Sequence, residues 1–232
     1  MGDEGSLFDT KHLCALSAEL AGMSGAGISL ITNDAVQGSV CSTGSDVAAL
    51  EQLQFTLGEG PAIDAHRLDL PVLEPDMVEP FASRWMAFTG PALDAGFGAV
   101  FGFPLRVGGA RLGALSLYRN SAGPLSDEQH ADTLVMADIA AQAILVLQST
   151  AAPGRLAREL EVGSDYQYVV HQASGMVAAQ LDIGVGHALM RLRAHAFAND
   201  RSLPDVARDV VSRRLRFDPV TGEHFDEANP VD

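Results

Sequence analysis

The sequence predicts an α+β protein: a central antiparallel sheet flanked by helices, followed by a small domain of three helices. Three observations carry this. Two apolar-rich runs, Ala99 to Val107 and Ala110 to Arg119, are joined by Gly108-Gly109, a dipeptide suited to a primed hairpin turn. Strand-like alternation and helical spacing succeed one another over the first 150 residues. Beyond residue 165 only helical stripes recur, and the local charge changes sign.

Taken in order, Leu13, Leu16, Leu20 and Met23 predict a helix over residues 8–23. Gly27 to Thr32 alternates apolar and polar side chains, and Val36 to Thr43 returns after Asn33-Asp34, which predicts a strand pair. Ser45 to Leu57 reads as a helix ending at Gly58-Glu59-Gly60-Pro61, where Pro61 opens the next short helix. Leu70 to Leu73 contains Pro71 and reads as an edge strand. Phe81 to Ala95 predicts a helix broken or bent near Gly90-Pro91. The hairpin follows, and then Ser126 to Gln129 forms a capping box that opens a helix to about Gln148. That helix is apolar on more than one face: one covers the sheet, and the leftover face predicts a homodimer. Three stripes come next: Tyr166, Val169, Val170, Ala173, Val177 and Leu181; then Val185, Ala188, Leu189, Leu192 and Ala196; then Leu203, Val206, Ala207, Val210 and Val211. Ser202 and Asp205 cap the third helix. The domains expected are a sensor domain at 1–150, a linker or helical connector at 151–164, a helical domain at 165–217 and an acidic, unstructured tail at 218–232.

The composition, 47% hydrophobic over 232 residues, excludes wholesale disorder. The net charge of −15 argues against a polyanionic partner until its distribution is read. Residues 1–150 hold 6 basic and 18 acidic side chains, whereas 166–217 hold 7 arginines against 4 aspartates. Only the helical segment welcomes a polyanion. The acidic N-terminus lacks a secretory pattern. The apolar run Leu134 to Leu147 is short for a bilayer and carries Asp138 and Gln142, so no membrane partner is expected. Cys14 and Cys41, the only cysteines, form neither a disulfide framework nor a metal motif, and a reducing cytoplasm is the expected location.

The segment 166–217 closely resembles the ANTAR domain, a three-helix RNA-binding module of transcription antiterminators. The residues that carry the resemblance are Gln172-Ala173-Ser174-Gly175-Met176, Ala188-Leu189 with Leu192-Arg193 and Ala196, and Leu203, Val206, Ala207 and Val210. The family places a lysine where Ser174 stands, so a phosphate contact is lost there. Residues 8–148 resemble a GAF domain, a small-molecule and redox sensing fold, by element order and by the Gly58-Glu59-Gly60-Pro61 turn. Actinobacterial proteins join these two domains in this order. The resemblance implies a homodimeric regulator that binds stem-loop RNA in leader transcripts and prevents a terminator from forming, gated by a small-molecule signal. Related antiterminators carry a receiver domain, which needs a lysine at its acidic pocket; Lys11 is the sole lysine here.

The RNA-binding candidates are Gln172, Ser174, Gly175, Arg191, Arg193 and Arg201. Gly175 inside a helix requires close approach, by a neighbouring helix or by an RNA backbone. Arg193 is either a snorkelling side chain or an RNA contact, and Arg213, Arg214 and Arg216 either meet phosphates or sit at a helix C-terminus where cations are favoured. Tyr166, Tyr168, His171, His195 and Phe197 are stacking platforms or packing. Trp85, Phe97, Phe101 and Phe103 are core residues first and candidates for a sensor pocket second, with the ligand unspecified. No catalytic group and no metal-ligand spacing is evident, so an enzyme is not expected. The alternatives are a DNA-binding regulator, which needs base-reading side chains at a recognition helix, and a GAF-type redox enzyme, which needs cooperating cysteines.

Overall fold

The structure, a computed structural model, describes residues 10–32, 35–78, 84–150, 165–199, 201–218 and 224–226. The chain divides into two compact units, Met1–Leu160 and Glu161–Asp232.

The front unit runs α1 (Thr10–Leu20), β1 (Gly25–Thr32), β2 (Ala35–Ser42), α2 (Ser45–Leu57), α3 (Pro61–Leu68), β3 (Val72–Glu74), α4 (Met86–Asp94), β4 (Ala99–Val107), β5 (Ala110–Arg119) and α5 (Asp127–Thr150). Its five strands lie in the order β2-β1-β5-β4-β3, every neighbouring pair antiparallel. The β4–β5 hairpin closes at Gly108, whose φ of 58° belongs to the left-handed region that glycine tolerates. Among the described residues β3 pairs with β4 alone, the edge position expected beside Pro71.

Strand alternation divides the sheet into two unlike faces. On one, Ile28, Leu30, Phe101, Phe103, Leu105, Leu115 and Leu117 pack under α1 and α5. The helices meet them with small residues, Ala18 and Ala21 from α1 and Ala137, Ala140, Ala141 and Ala143 from α5, so both lie close to the strands. Each large side chain buried there contributes about 1.5–3 kcal/mol.

Two expectations about these helices change. The buried residues of α1 are Leu13, Cys14, Ser17, Ala18 and Ala21, while Leu16 and Leu20 stay half exposed. The small residues face inward because they admit the disulfide and the close sheet contact described below. On α5 the capping box forms: Gln129 N–H donates to Ser126 Oγ at 3.1 Å and Ser126 N–H to Gln129 Oε1 at 3.0 Å. By length and composition Asp127–Leu147 is apolar enough to cross a bilayer. Met136, Ala137, Ala140, Ala141 and Ile144 account for much of that apolarity by packing inward, and Leu134, Val135, Ile139 and Val146 are left outside. α4 is not broken at Gly90-Pro91: Pro91 lies inside it, and the helix ends three residues later. The part of that expectation on residues 81–83 lies outside the described residues.

The C-terminal unit holds α6 (Asp165–Leu181), α7 (Val185–Ala198) and α8 (Leu203–Val211), then β6 (Leu215–Phe217) paired antiparallel with β7 (His224–Asp226). Val170, Ala173, Val177, Ala188, Leu189, Leu192, Ala196, Leu203, Val206, Ala207 and Val210 form its core. Val185 of the expected second stripe is exposed, because it is the first residue of α7 and precedes the buried turn. Ser202 caps α8 by accepting from Asp205 N–H. The two short strands are a correction: the tail from 218 was expected to lack structure, yet His224–Asp226 pairs with Leu215–Phe217. Leu215 and Phe217 are buried, and the Phe217 ring meets His195 edge-on at 5.7 Å, which gives the ribbon an apolar anchor.

Candidate functional site

The second sheet face is lined by small and polar residues. Gly25, Gly27 and Ser29 of β1 share it with Ser116 and Tyr118 of β5 and Gly102 of β4. Without side chains at these glycines the helices lie almost on the strands. A Cβ on Gly27 would stand 2.6 Å from Glu51 Cγ, and one on Gly102 would stand 2.3 Å from the Pro61 carbonyl oxygen.

Glu51 and Gln54, one helical turn apart on α2, therefore reach into the sheet and are 3% and 1% exposed. Ser29 Oγ donates to Glu51 Oε2 at 2.6 Å, Tyr118 OH donates to Glu51 Oε1 at 2.6 Å, and Gln54 Nε2 donates to the same oxygen at 3.1 Å. Gln54 Nε2 also lies 3.0 Å from Tyr118 OH, and Gln54 Oε1 accepts from Ala62 N–H at 2.8 Å. Burial, with the negative Glu51 beside it, pushes the Tyr118 phenol well above its ordinary value, so it stays protonated and donates. A carboxyl group thus sits among three neutral donors with no cation among the described contacts.

Of the four expected pocket aromatics, Phe97 meets this network through Tyr118, and Phe101 and Phe103 lie elsewhere. Phe101 and Phe103 belong to the opposite face beneath α1 and α5, with the His130 ring 5.4 Å from Phe103. Phe97 packs on Tyr118 at 5.2 Å, and Trp85 packs edge-on to Phe88 while donating to Asp64 Oδ2 at 3.0 Å. Neighbouring odd positions in a strand share one face, so Phe101 and Phe103 point together, away from α2 and α3. The turn Gly58-Glu59-Gly60-Pro61 does more than reverse the chain. Glu59 Oε1 accepts from Ala87 N–H at 2.8 Å and Phe88 N–H at 3.1 Å, capping α4 with a carboxylate where the helix dipole favours one. Glu51, Gln54 and Glu59 were legible only as helix and turn positions.

Cys14 and Cys41 are not separate thiols. They form a disulfide with Cα atoms 6.0 Å apart, tying α1 to β2 across 27 positions of sequence.

In the C-terminal unit the expected RNA residues part company. Gln172 and Gly175 lie exposed on α6 and Arg191 lies exposed on α7, with Phe197 84% exposed farther along. A Cβ on Gly175 would meet nothing within 4 Å, so no neighbouring helix among the described residues explains this glycine. Ser174 is buried and donates to the Val170 carbonyl oxygen at 2.8 Å, which removes it from any surface. Arg193 is half-buried. Arg201 pairs with Asp209, which also accepts from Arg214 Nε at 2.9 Å, and Arg208 pairs with Asp205. His195 is buried against Phe217 and is packing, whereas Tyr168 is exposed. The side chain of Tyr166 lies outside the described residues.

Asp209 carries a pH prediction. Burial works to raise its pKa, but the hydrogen bonds from Arg201 and Arg214 outweigh it and hold the carboxyl below its ordinary value. A group depressed in the folded state gives stability that is full above the unfolded value, about 4, and is lost as pH falls through the folded one. Thermal unfolding of the C-terminal unit is expected to weaken more steeply below about pH 4 in the parent chain than in Asp209→Asn.

The chain is similar to several solved structures, GAF domains among them. A GAF domain/HD domain protein from Geobacter sulfurreducens is 17% identical at a TM-score of 0.49, covering 64% of this chain and 100% of that one. A domain of a putative two-component sensor histidine kinase from Sinorhizobium meliloti is 17% identical at 0.48, covering 60% and 90%. The second GAF domain of DevS from Mycobacterium smegmatis is 20% identical at 0.43, covering 60% and 93%. No protein-family model matches the chain, and no curated protein matches it.

Proposed function

We propose that this chain is a signal-responsive transcription antiterminator, with a GAF-type sensor in front and an ANTAR-like unit that binds stem-loop RNA in leader transcripts. The observation that carries the reading is the exposure of Gln172 and Gly175 on α6 and of Arg191 and Phe197 on α7. Each has a use in RNA binding. Gly175 admits a sugar-phosphate backbone close to the helix, Arg191 neutralises a phosphate, Gln172 donates to base or phosphate, and Phe197 offers a ring to a splayed base. No bond is made or broken in this function, and it operates in the cytoplasm, where transcripts are made.

The apolar residues left outside on α1 and α5, Leu16, Leu20, Val135, Ile139 and Val146, are assigned to a second copy of the chain. A small-molecule signal entering the α2–α3 face has to displace Glu51 from its three donors, so sensing there is coupled to movement of α2. The DNA-binding alternative gains little: α8 starts Leu203-Pro204-Asp205, and Arg208 is neutralised by Asp205.

Gly175→Ala tests this reading. With open space around the new methyl group, the helix gains about 0.5–1 kcal/mol. If RNA lies on α6, the variant is more stable yet binds stem-loop RNA at least about tenfold more weakly in a filter-binding assay, a loss of about 1.4 kcal/mol. Unchanged affinity would remove α6 from the interface, and preference for duplex DNA would favour the alternative.

A further inference from the structure

A cleft of about 410 Å³ lies in the C-terminal unit, lined by Met176 and Gln180 of α6, Arg213, and Leu215 and Arg216 at β6. It includes neither Gln172 nor Arg191, and three of its residues follow the last helix. We infer that this cleft seats one nucleotide of the RNA, its phosphates on Arg213 and Arg216 and its base against Met176 and Leu215. The inference rests on the RNA-binding reading above and adds a site to it.

Among the arginines that follow α7, ion pairing singles out these two. Arg201, Arg208 and Arg214 are matched by Asp205 and Asp209. Arg213 and Arg216 are exposed and form no ion pair among the described residues. Two unmatched guanidiniums at one cleft attract phosphate, whose oxygens accept their forked donors.

The backbone adds a second observation. α8 ends in a Schellman motif: Arg214 N–H donates to Asp209 O at 2.8 Å and Arg213 N–H to Val210 O at 3.0 Å. That motif needs a left-handed residue, ordinarily glycine, at the position Arg213 holds with φ 63°. A large side chain kept there at conformational cost, with its own side chain lining the cleft, points to a task for the guanidinium.

The other walls suit a base. Leu215 is buried, and Met176 is a half-buried, polarisable side chain that adapts to a flat ring. Gln180 is held in place because its Oε1 accepts from Phe217 N–H at 3.0 Å. Its Nε2 has no partner among the described residues and is available to donate to a base edge.

The test uses the full chain in two arms. In the first, adenosine 5′-monophosphate and, separately, inorganic phosphate are titrated while the arginine Nε–H signals are followed by NMR. The expected result is that the nucleotide shifts Arg213 and Arg216 and binds at least about fivefold tighter than phosphate, by about 1 kcal/mol. No shift, or equal affinity for the two ligands, overturns the nucleotide site. In the second arm a stem-loop RNA is titrated against salt with Arg213→Gln/Arg216→Gln, and with Arg208→Gln as a matched control. The double variant is expected to bind at least about tenfold more weakly, with the slope of log affinity against log salt reduced by about 1.4–1.8. The control is expected to change less than about twofold. RNA binding by the parent that the double variant retains overturns the cleft and leaves the proposed function standing. A parent that binds no RNA overturns the proposed function, and the nucleotide arm still decides the cleft.

Discussion

Replacing Glu51 with alanine is expected to destabilise the front unit by about 3–5 kcal/mol, an unusually large effect for one polar residue. Ser29 Oγ, Tyr118 OH and Gln54 Nε2 all donate to this carboxyl group, and all are buried. Truncation strands the Ser29 and Tyr118 hydroxyls where water does not reach, while Gln54 Nε2 keeps Tyr118 OH as an acceptor, and each unsatisfied group costs about 1–3 kcal/mol before any repacking. It also opens a void between α2 and β1, because Gly27 offers no side chain to fill it. Glu51→Gln keeps the volume and one acceptor oxygen, and should cost about 1–2 kcal/mol. Thermal unfolding of both variants checks this: the alanine form should melt roughly 10 °C below the parent, with the glutamine form between them. A Glu51→Ala transition within about 2 °C of the parent would mean that water or a relaxed α2 satisfies the two hydroxyls.

Reduction of the Cys14–Cys41 bond is the other large effect. The bond spans 27 positions, and chain entropy alone assigns about 3.5 kcal/mol to closing a loop of that length. Both cysteines are buried, so reductant should act slowly on the folded protein and fast once it opens. The expected result is that the double variant Cys14→Ala/Cys41→Ala melts about 10 °C below the oxidised parent and no longer responds to reductant. Equal melting of oxidised parent and variant would show that α1 is held by its alanine-rich packing alone. In a reducing compartment this bond makes the stability of the front unit depend on redox state.

The sequence was informative where local chemistry decides structure. The Gly108-Gly109 hairpin, the Ser126–Gln129 capping box, Pro61 at a helix start and Ser202 at another are all formed as expected. Their signals lie within four residues of one another, so no tertiary knowledge is needed. The misses are contacts across long separations. Cys14 and Cys41 meet only because α1 lies over β2, and Tyr118 meets Glu51 only because β5 runs beside β1. Alternation does place Ser29, Ser116 and Tyr118 on one class of face, yet the sequence alone cannot tell which carboxyl group they meet. Ser174 shows the opposite error. Its place in a motif suggested the surface, whereas its position one residue after the buried Ala173 turns it inward, where its hydroxyl returns to the Val170 carbonyl. Leu16 and Leu20 obey helical spacing but face outward, since spacing defines a stripe and not what covers it.

The central claim, RNA binding by the C-terminal unit, is tested most directly by a salt-dependent titration of the full chain. The partners are a tandem stem-loop RNA, single-stranded RNA and duplex DNA, with Arg191→Ala alongside. The predicted result is selective stem-loop binding whose affinity falls steeply with salt and weakens about tenfold in Arg191→Ala, by about 1.4 kcal/mol. Equal, weak binding to all three partners, unaltered in Arg191→Ala, would contradict it.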